Sequence, residues 1–294
     1  MINMNYSRTV SGNVIKSKLS DFVLRYLSKR GKIYFSDRGG HRMAVYANDW
    51  IGNSVNVHGV YERENLEDII FLMKNIFTTT KEFSAIDVGA NIGNHSLFFA
   101  KFFKKVYSFE PNPHTFRLLE FNSDFAGNIL PFNFGLSDYS GEVDLYENNL
   151  NFGSSSIYGH TESSVKIKLK PLDSFLADVN DVRLIKIDVE GMELSVLKGA
   201  KGVIERNKPL IAFEQHPDDF IDNGETNSIQ FLRSLGYEIF WNDIDTEKSF
   251  PPFNFFRKIK RLIFGYQGKR IMRCDTTVPK KFHSMLYAVH RKSA

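Results

Sequence analysis

Residues 83–88, FSAIDV, form a short apolar, partly β-branched run that stops at Gly89, and this pattern predicts a buried strand. Past the turn, Leu97, Phe98, Ala100, Lys101 and Phe102 recur at near-helical spacing, so a helix follows, with Asn91 or Asn94 available to cap it. Further strands are expected at 106–110, 129–136, 184–188 and 210–215, with helical stretches between most of them. Such βα alternation predicts a doubly wound α/β fold, a mostly parallel sheet covered on both faces. One connection departs from it. Residues 142–146 and 165–169 alternate like hairpin strands, and the Asn-, Ser- and Gly-rich stretch 148–164 between them is a candidate lid. Ahead of the core, Val14, Ile15, Leu19, Phe22, Val23, Tyr26 and Leu27 have helical spacing, residues 54–61 read as strand-like, and residues 66–76 suggest a second helix. The expected organisation is a leader over 1–80, a core over 81–245 and a C-terminal extension over 246–294.

Composition narrows the class. A chain of 294 residues that is 42% hydrophobic, with 27 phenylalanines, can bury a large core without a second domain. Its single cysteine, Cys274, excludes an internal disulfide and a thiolate metal cluster. No signal-peptide-like or membrane-spanning run is seen, so a cytoplasmic location is expected. The net charge of +4 is unevenly spread: residues 248–274 hold eight basic and no acidic side chains. Within that stretch, FNFFRKIKRLIF (253–264) divides on a helical wheel into an apolar and a basic face, which fits either packing on the core or peripheral contact with an anionic membrane or lipid-linked glycan.

The turn AIDVGANIGNHS, residues 85–96, has Gly89 and Gly93 but Asn91 where a dinucleotide fingerprint has its middle glycine, so no pyrophosphate cradle is evident. Glu110 ends the next apolar run about twenty residues on, the spacing at which α/β sheets hold ribose hydroxyls. A ligand with ribose and adenine but no phosphates fits, and S-adenosylmethionine is one. Asp87 at the strand tip is then expected to hold its ammonium group, directly or through water.

With DVGANIG (87–93), FEPNP (109–113), Leu136-Ser137-Asp138 and above all IDVEGMELSVLKGA (187–200), the chain resembles the FkbM family of S-adenosylmethionine-dependent methyltransferases over about residues 57–240. The resemblance implies a seven-stranded, class I Rossmann-like sheet and O-methylation of a sugar, glycan or related natural product. It implies that Asp87, Gly89, Ala90, Asn91 and Gly93, with Asn94 and His95, line the methionine end of the cofactor. Glu110 with Pro111 would hold the ribose, and Leu136, Ser137 and Asp138 would face the adenine. Glu62, in the Tyr61-Glu62 pair, is a further cofactor candidate or simply a charge complementing a helix N-terminus.

Ligands of open α/β sheets sit beyond the carboxyl ends of the strands, which singles out Asp188, Glu190, Glu214 and His216. Methyl transfer to a hydroxyl needs an aligned and deprotonated oxygen. His216 is a candidate base, Asp188 a candidate base or orienting group that also borders the cofactor, and Glu190 a third catalytic candidate. Asp188, Glu190 and Glu214 offer oxygen ligands that suit magnesium, but converging carboxylates occur in many metal-free sites and no metal is assigned. The expected partner is a small-molecule or glycan acceptor and not a nucleic acid, because the Pro-Pro-aromatic signature of base methylation is absent after Asp188. Two other readings stay open at this point, a nicotinamide-dependent oxidoreductase and a non-catalytic module that retains the fold.

Overall fold

The computed structural model describes residues 41–47, 49–77, 79–146, 164–221, 225–245, 269–274 and 277–291, with isolated helical positions at 22, 23, 25, 26 and 29. The candidate lid at 148–163 and the amphipathic segment 253–264 lie outside the described residues, as does most of the first leader helix. The chain divides into two compact units, Met1–Tyr61 and Glu62–Ala294.

In the first unit, residues 54–61 are not a strand. They belong largely to helix α1 (Trp50–His58), whose N-cap Asp49 accepts from the Gly52 N–H and whose end is set by Gly59 at φ 79°. The β-branched valines suggest a strand, but an Asx cap at Asp49 and a left-handed glycine at Gly59 define a helix more strongly than side-chain propensity.

The second unit begins with α2 (Arg63–Ile76), so the boundary falls at residue 62 and not at 80. Its central sheet carries the strands β1 (Ser84–Val88), β2 (Lys105–Phe109), β3 (Ile129–Phe132), β7 (Val182–Ile187), β8 (Leu210–Gln215), β11 (Tyr237–Asp245), β12 (Lys269–Cys274) and β13 (His283–His290). Their spatial order is β12-β11-β13-β8-β7-β1-β2-β3. From β3 to β8 the neighbours are parallel, and β13 enters antiparallel between β8 and β11. The expected mostly parallel α/β sheet is therefore observed, with β12 added as an eighth strand, and the core does not end at residue 245.

All five residues of β1 are buried, as a central strand covered on both faces requires. Ile86, Val88, Ile185, Ile187, Ile211 and Phe213 form one core with Val196, Leu197, Val203, Ile229 and Leu232 from α6 (Glu193–Gly199), α7 (Lys201–Asn207) and α8 (Asn227–Ser234). Helix α2 buries Leu66, Ile69 and Met73, and its Asp68 accepts from Asn242 of β11 at 2.7 Å and from the Tyr287 hydroxyl of β13 at 3.3 Å.

The apolar run 129–136 breaks into β3 and a short β4 (Gly135–Leu136). Pro131 lacks the N–H a central strand would need and sits on the edge strand, while the Asn133 side chain turns back to the Glu110 and Pro111 carbonyls. The expected hairpin forms: β5 (Gly141–Tyr146) pairs antiparallel with β6 (Ser164–Lys170), and β4 joins them in a three-stranded sheet.

Gly199 explains part of the 187–200 motif. A Cβ there would lie 1.9 Å from the Ser137 carbonyl oxygen, so only glycine lets α6 meet the chain just beyond β4. Gly199→Ala should cost about 1–3 kcal/mol as overpacking against a backbone group that cannot yield. Urea unfolding checks this, and an unchanged midpoint would show that Ser137 moves freely.

Candidate active site

The glycine turn after β1 is shaped by three left-handed residues, Gly89 (φ 71°), Asn91 (φ 49°) and Gly93 (φ 92°). At Gly89 a side chain is impossible, because a Cβ would lie 1.8 Å from the Asp188 carbonyl oxygen. The Gly89 and Ala90 N–H groups both donate to the Phe109 carbonyl at 3.0 Å, clamping the turn to the tip of β2. Neither asparagine caps the next helix, α3 (Asn94–Phe99): Gly93 is its N-cap, and the Asn91 side chain accepts from its neighbour Ile92 instead. The left-handed backbone at 91 turns that amide away from the helix end.

Glu110 stands beside this turn, almost fully buried. One carboxylate oxygen accepts from the Asn91 N–H at 3.0 Å and the other from the Asn112 N–H at 2.9 Å, which fixes the plane of the group and leaves a lone pair on each oxygen. Burial pushes its carboxyl up to about 7, against the lowering effect of those two N–H groups and of Lys186. Pro111 follows it, and Asn112 caps α4 (Pro113–Ser123) by accepting from the His114 N–H at 2.9 Å. Ser137 is fully buried, and its hydroxyl donates to exposed Asp138 at 3.2 Å.

Asp87 already has partners within the chain. It is wholly buried, accepts from the Ser96 hydroxyl at 2.6 Å, and lies 3.2 Å from the Lys186 ammonium. Lys186 also donates to the Gly89 carbonyl at 3.1 Å and lies 3.4 Å from Asp188. Burial works against this ammonium, but Asp87 and Asp188 outweigh it and hold it above the ordinary lysine range. Lys186 was missed among the site candidates. Its signal was a lone lysine in the run LIKID, an expensive residue to bury unless a charge awaits it.

Glu62 adopts φ 52° at the N-terminus of α2, and its carboxylate lies 3.6 Å from the His95 ring nitrogen. Asn94 and His95 are both buried in the first turn of α3. Glu62 therefore belongs to the same edge as the glycine turn, and its left-handed backbone is a strain that ordinary helix capping does not require.

The catalytic candidates converge. Asp188 follows β7, and Glu190 (φ 52°) and Gly191 (φ 100°) turn the chain sharply behind it. Glu214 and His216 come from the end of β8, where the His216 ring nitrogen lies 3.7 Å from the Glu214 carboxylate. One ligand atom each from Glu190, Glu214 and His216 falls within 4.8 Å of the others. The trio that could share a divalent ion is thus not the expected Asp188, Glu190 and Glu214, because Asp188 is drawn to Lys186 and His216 takes its place. Burial, and then the charges of Asp188 and Glu190, push the Glu214 carboxyl up to about 9, and its proton is shared in a hydrogen bond with Asp188. Burial and Asp188 likewise raise Glu190, with His216 opposing. The turn carrying His216 is held by Asp219, which accepts from the His216 N–H at 3.0 Å and from the Gln215 side chain at 2.5 Å; Gln215 accepts in turn from Thr226 at 2.7 Å.

The Glu214 proton makes a stability prediction. The folded state keeps a proton that the unfolded chain, titrating near the ordinary 4.5, releases, so wild-type stability falls as pH rises from about 4.5 toward about 9. Glu214→Gln can still donate to Asp188 but lacks that slope. Its melting temperature should therefore gain on wild type by a few degrees between pH 5 and pH 8.5 in thermal unfolding. Parallel curves for the two proteins would place Glu214 in the ordinary carboxylate range.

Over 122 residues the chain is 38% identical to the hexuronic acid methyltransferase AglP of Haloferax volcanii, covering 40% of this chain and 50% of that protein, so it spans about half the length of this curated relative. Among solved structures, the FkbM methyltransferase of Methylobacillus flagellatus aligns over 93% of this chain and 60% of its own at 17% identity and a TM-score of 0.40. Aeropyrum pernix fibrillarin with natively bound S-adenosyl-L-methionine aligns over 71% of this chain and 67% of its own at 14% identity and a TM-score of 0.39. The fold assignment rests on the strand order itself. The model of the methyltransferase FkbM domain matches residues 87–239, just over half of the 294 residues, and it takes in the glycine turn, Glu110 and the tips of β7 and β8: the chain belongs to the FkbM methyltransferase family.

Proposed function

We propose that this protein is an S-adenosylmethionine-dependent O-methyltransferase acting on a hydroxyl of a sugar or glycan. The observation that carries the reading is Glu110, a buried carboxylate aligned by two backbone N–H groups beside a left-handed glycine turn with no pyrophosphate cradle. The residues present fit the cofactor. Each Glu110 oxygen has a lone pair left for a ribose hydroxyl, Ser137 and Asp138 border the next strand tip, and Glu62, Asp188 and Glu190 give the strand ends a negative field suited to a cation. Its ammonium group falls to Glu62 rather than to Asp87, which Lys186 neutralises.

When bound, S-adenosylmethionine supplies an electrophilic methyl group on a sulfonium centre. The protein must then align the acceptor oxygen and take its proton. Asp188, held 3.4 Å from the Lys186 ammonium, orients the hydroxyl as an acceptor. His216 takes the proton, and the imidazolium so formed faces the Glu190 and Glu214 carboxyls. The hexuronic acid for which the relative AglP is named supports a saccharide acceptor. Between its hydroxyls and its carboxylate the hydroxyl is the better fit here, since a carboxylate would enter against Asp188 and Glu190.

Peripheral contact with an anionic membrane or lipid-linked glycan through the basic C-terminal stretch is part of this proposal, and among the described residues no helix is long and apolar enough to cross a membrane.

Calorimetry with S-adenosylhomocysteine should show binding, and none with NAD. Glu110→Ala should weaken it about ten- to a hundredfold. Because ribose hydroxyls donate to the ionised form of a carboxyl that sits near 7 when the site is free, wild-type affinity should fall as pH drops below about 7, and the Glu110→Ala affinity should not. Equal affinity in both proteins would remove Glu110 from the ribose role.

Activity divides the second pair of residues. Asp188→Asn and His216→Ala should each lower kcat by about a hundredfold or more, His216→Ala with cofactor affinity near wild type, and only His216→Ala should lose the acid-side limb of the kcat/KM profile. Full activity in His216→Ala would return the base role to Asp188. Activity abolished by a chelator and restored by magnesium would instead give Glu190, Glu214 and His216 a metal.

A further inference from the structure

Beyond the reacting groups, one aromatic side chain stands at the rim of the site. Phe282 is 50% exposed, and its ring centroid lies 5.1 Å from that of His216 with the planes 55° apart. Its position is fixed from both sides. Val278 is wholly buried, His283 is buried with a ring nitrogen 2.8 Å from the Pro279 carbonyl, and the His283 ring packs on Phe220 at 6.2 Å. The turn closed by that contact leads straight into β13, whose first residue, His283, pairs with Gln215 next to His216. A rigid turn therefore holds half a phenyl ring in water, one imidazole away from the Glu190–Glu214 carboxyls.

We propose that Phe282 is the stacking platform for the pyranose ring of the acceptor, an inference that rests on the saccharide reading above. A pyranose has an apolar face of C–H bonds, polarised slightly positive, and a rim of hydroxyls. An aromatic face carries the complementary negative charge, and such contacts add to ordinary area burial. The site divides the same way, with one aromatic ring beside a rim of carboxyls and an imidazole. A wholly apolar acceptor would bury those carboxyls unpaired, and a wholly ionic one would leave the ring without a partner. Stacking on Phe282 lays the sugar's edge toward His216, which is the geometry that presents a ring hydroxyl to the base.

Saturation-transfer NMR with methyl β-D-glucopyranoside and methyl β-D-glucuronopyranoside, in the presence of S-adenosylhomocysteine, tests this on wild type, Phe282→Tyr, Phe282→Leu and Phe282→Ala. Wild type and Phe282→Tyr should show transfer to the C–H protons of one sugar face. Phe282→Leu keeps the bulk without the π face, and it and Phe282→Ala should bind about three- to tenfold more weakly, with S-adenosylhomocysteine affinity unchanged as the control for folding. Wild-type affinity in Phe282→Leu would overturn the platform while leaving the methyltransferase reading intact. A wild-type protein that binds S-adenosylhomocysteine but neither glycoside overturns the platform and the saccharide acceptor together, and one that binds no S-adenosylhomocysteine overturns the cofactor assignment itself.

Discussion

The ammonium of Lys186 holds the site together. It is 1% exposed at its side chain, yet it stays charged because Asp87, Asp188 and the Gly89 carbonyl surround it. A buried ion is tolerable only when its partners are placed well enough to offset desolvation, and removing one partner leaves an uncompensated charge. These partners come from the tip of β1, the glycine turn and the tip of β7. Satisfying one lysine therefore sets the relative positions of the glycine turn and Asp188. The Gly89 backbone adds the steric half of the constraint, since it passes the Asp188 carbonyl too closely for any side chain.

Around that fixed charge, similar carboxyl groups acquire different protonation states. Asp188 lies against the ammonium. Glu214, deeper and facing Asp188 and Glu190, keeps its proton to about 9 and donates it to Asp188. Glu110, screened from solvent but supplied with two N–H donors, is poised near 7, where a ligand that donates hydrogen bonds can tip it to the anion. Environment alone sets these groups apart, and a single carboxylate chemistry yields a partner for a buried ammonium, a carboxyl that keeps its proton and one poised near neutrality.

Much of this was legible in the sequence because it is local. Apolar runs ending in Asp87, Glu110, Asp188 and Glu214 mark buried parallel strands whose next residues face a crevice, and all four strands form close to where the pattern puts them. The motif at 187–200 contains the reason for one of its glycines, the close approach of Gly199 to Ser137. What could not be read locally was pairing over long distance. No periodicity says that Lys186 meets Asp87 a hundred residues back, or that residues 283–290 return to fill the gap between β8 and β11. The helix at 50–58 was obscured by its valines for the opposite reason, a local propensity overruled by its caps.

The path of the chain also separates what the family shares from what sets the acceptor. The matched segment, 87–239, contains the cofactor turn, Glu110, Asp188, Glu190, Glu214 and His216. Phe282 lies beyond it, on the turn that leads into the antiparallel strand β13. Because β13 must insert beside β8 to complete the sheet, the turn preceding it is carried to His216 whatever residues it displays. The sheet thus fixes where that turn stands, and on the proposed reading Phe282 brings an acceptor contact from outside the matched segment to the imidazole of His216.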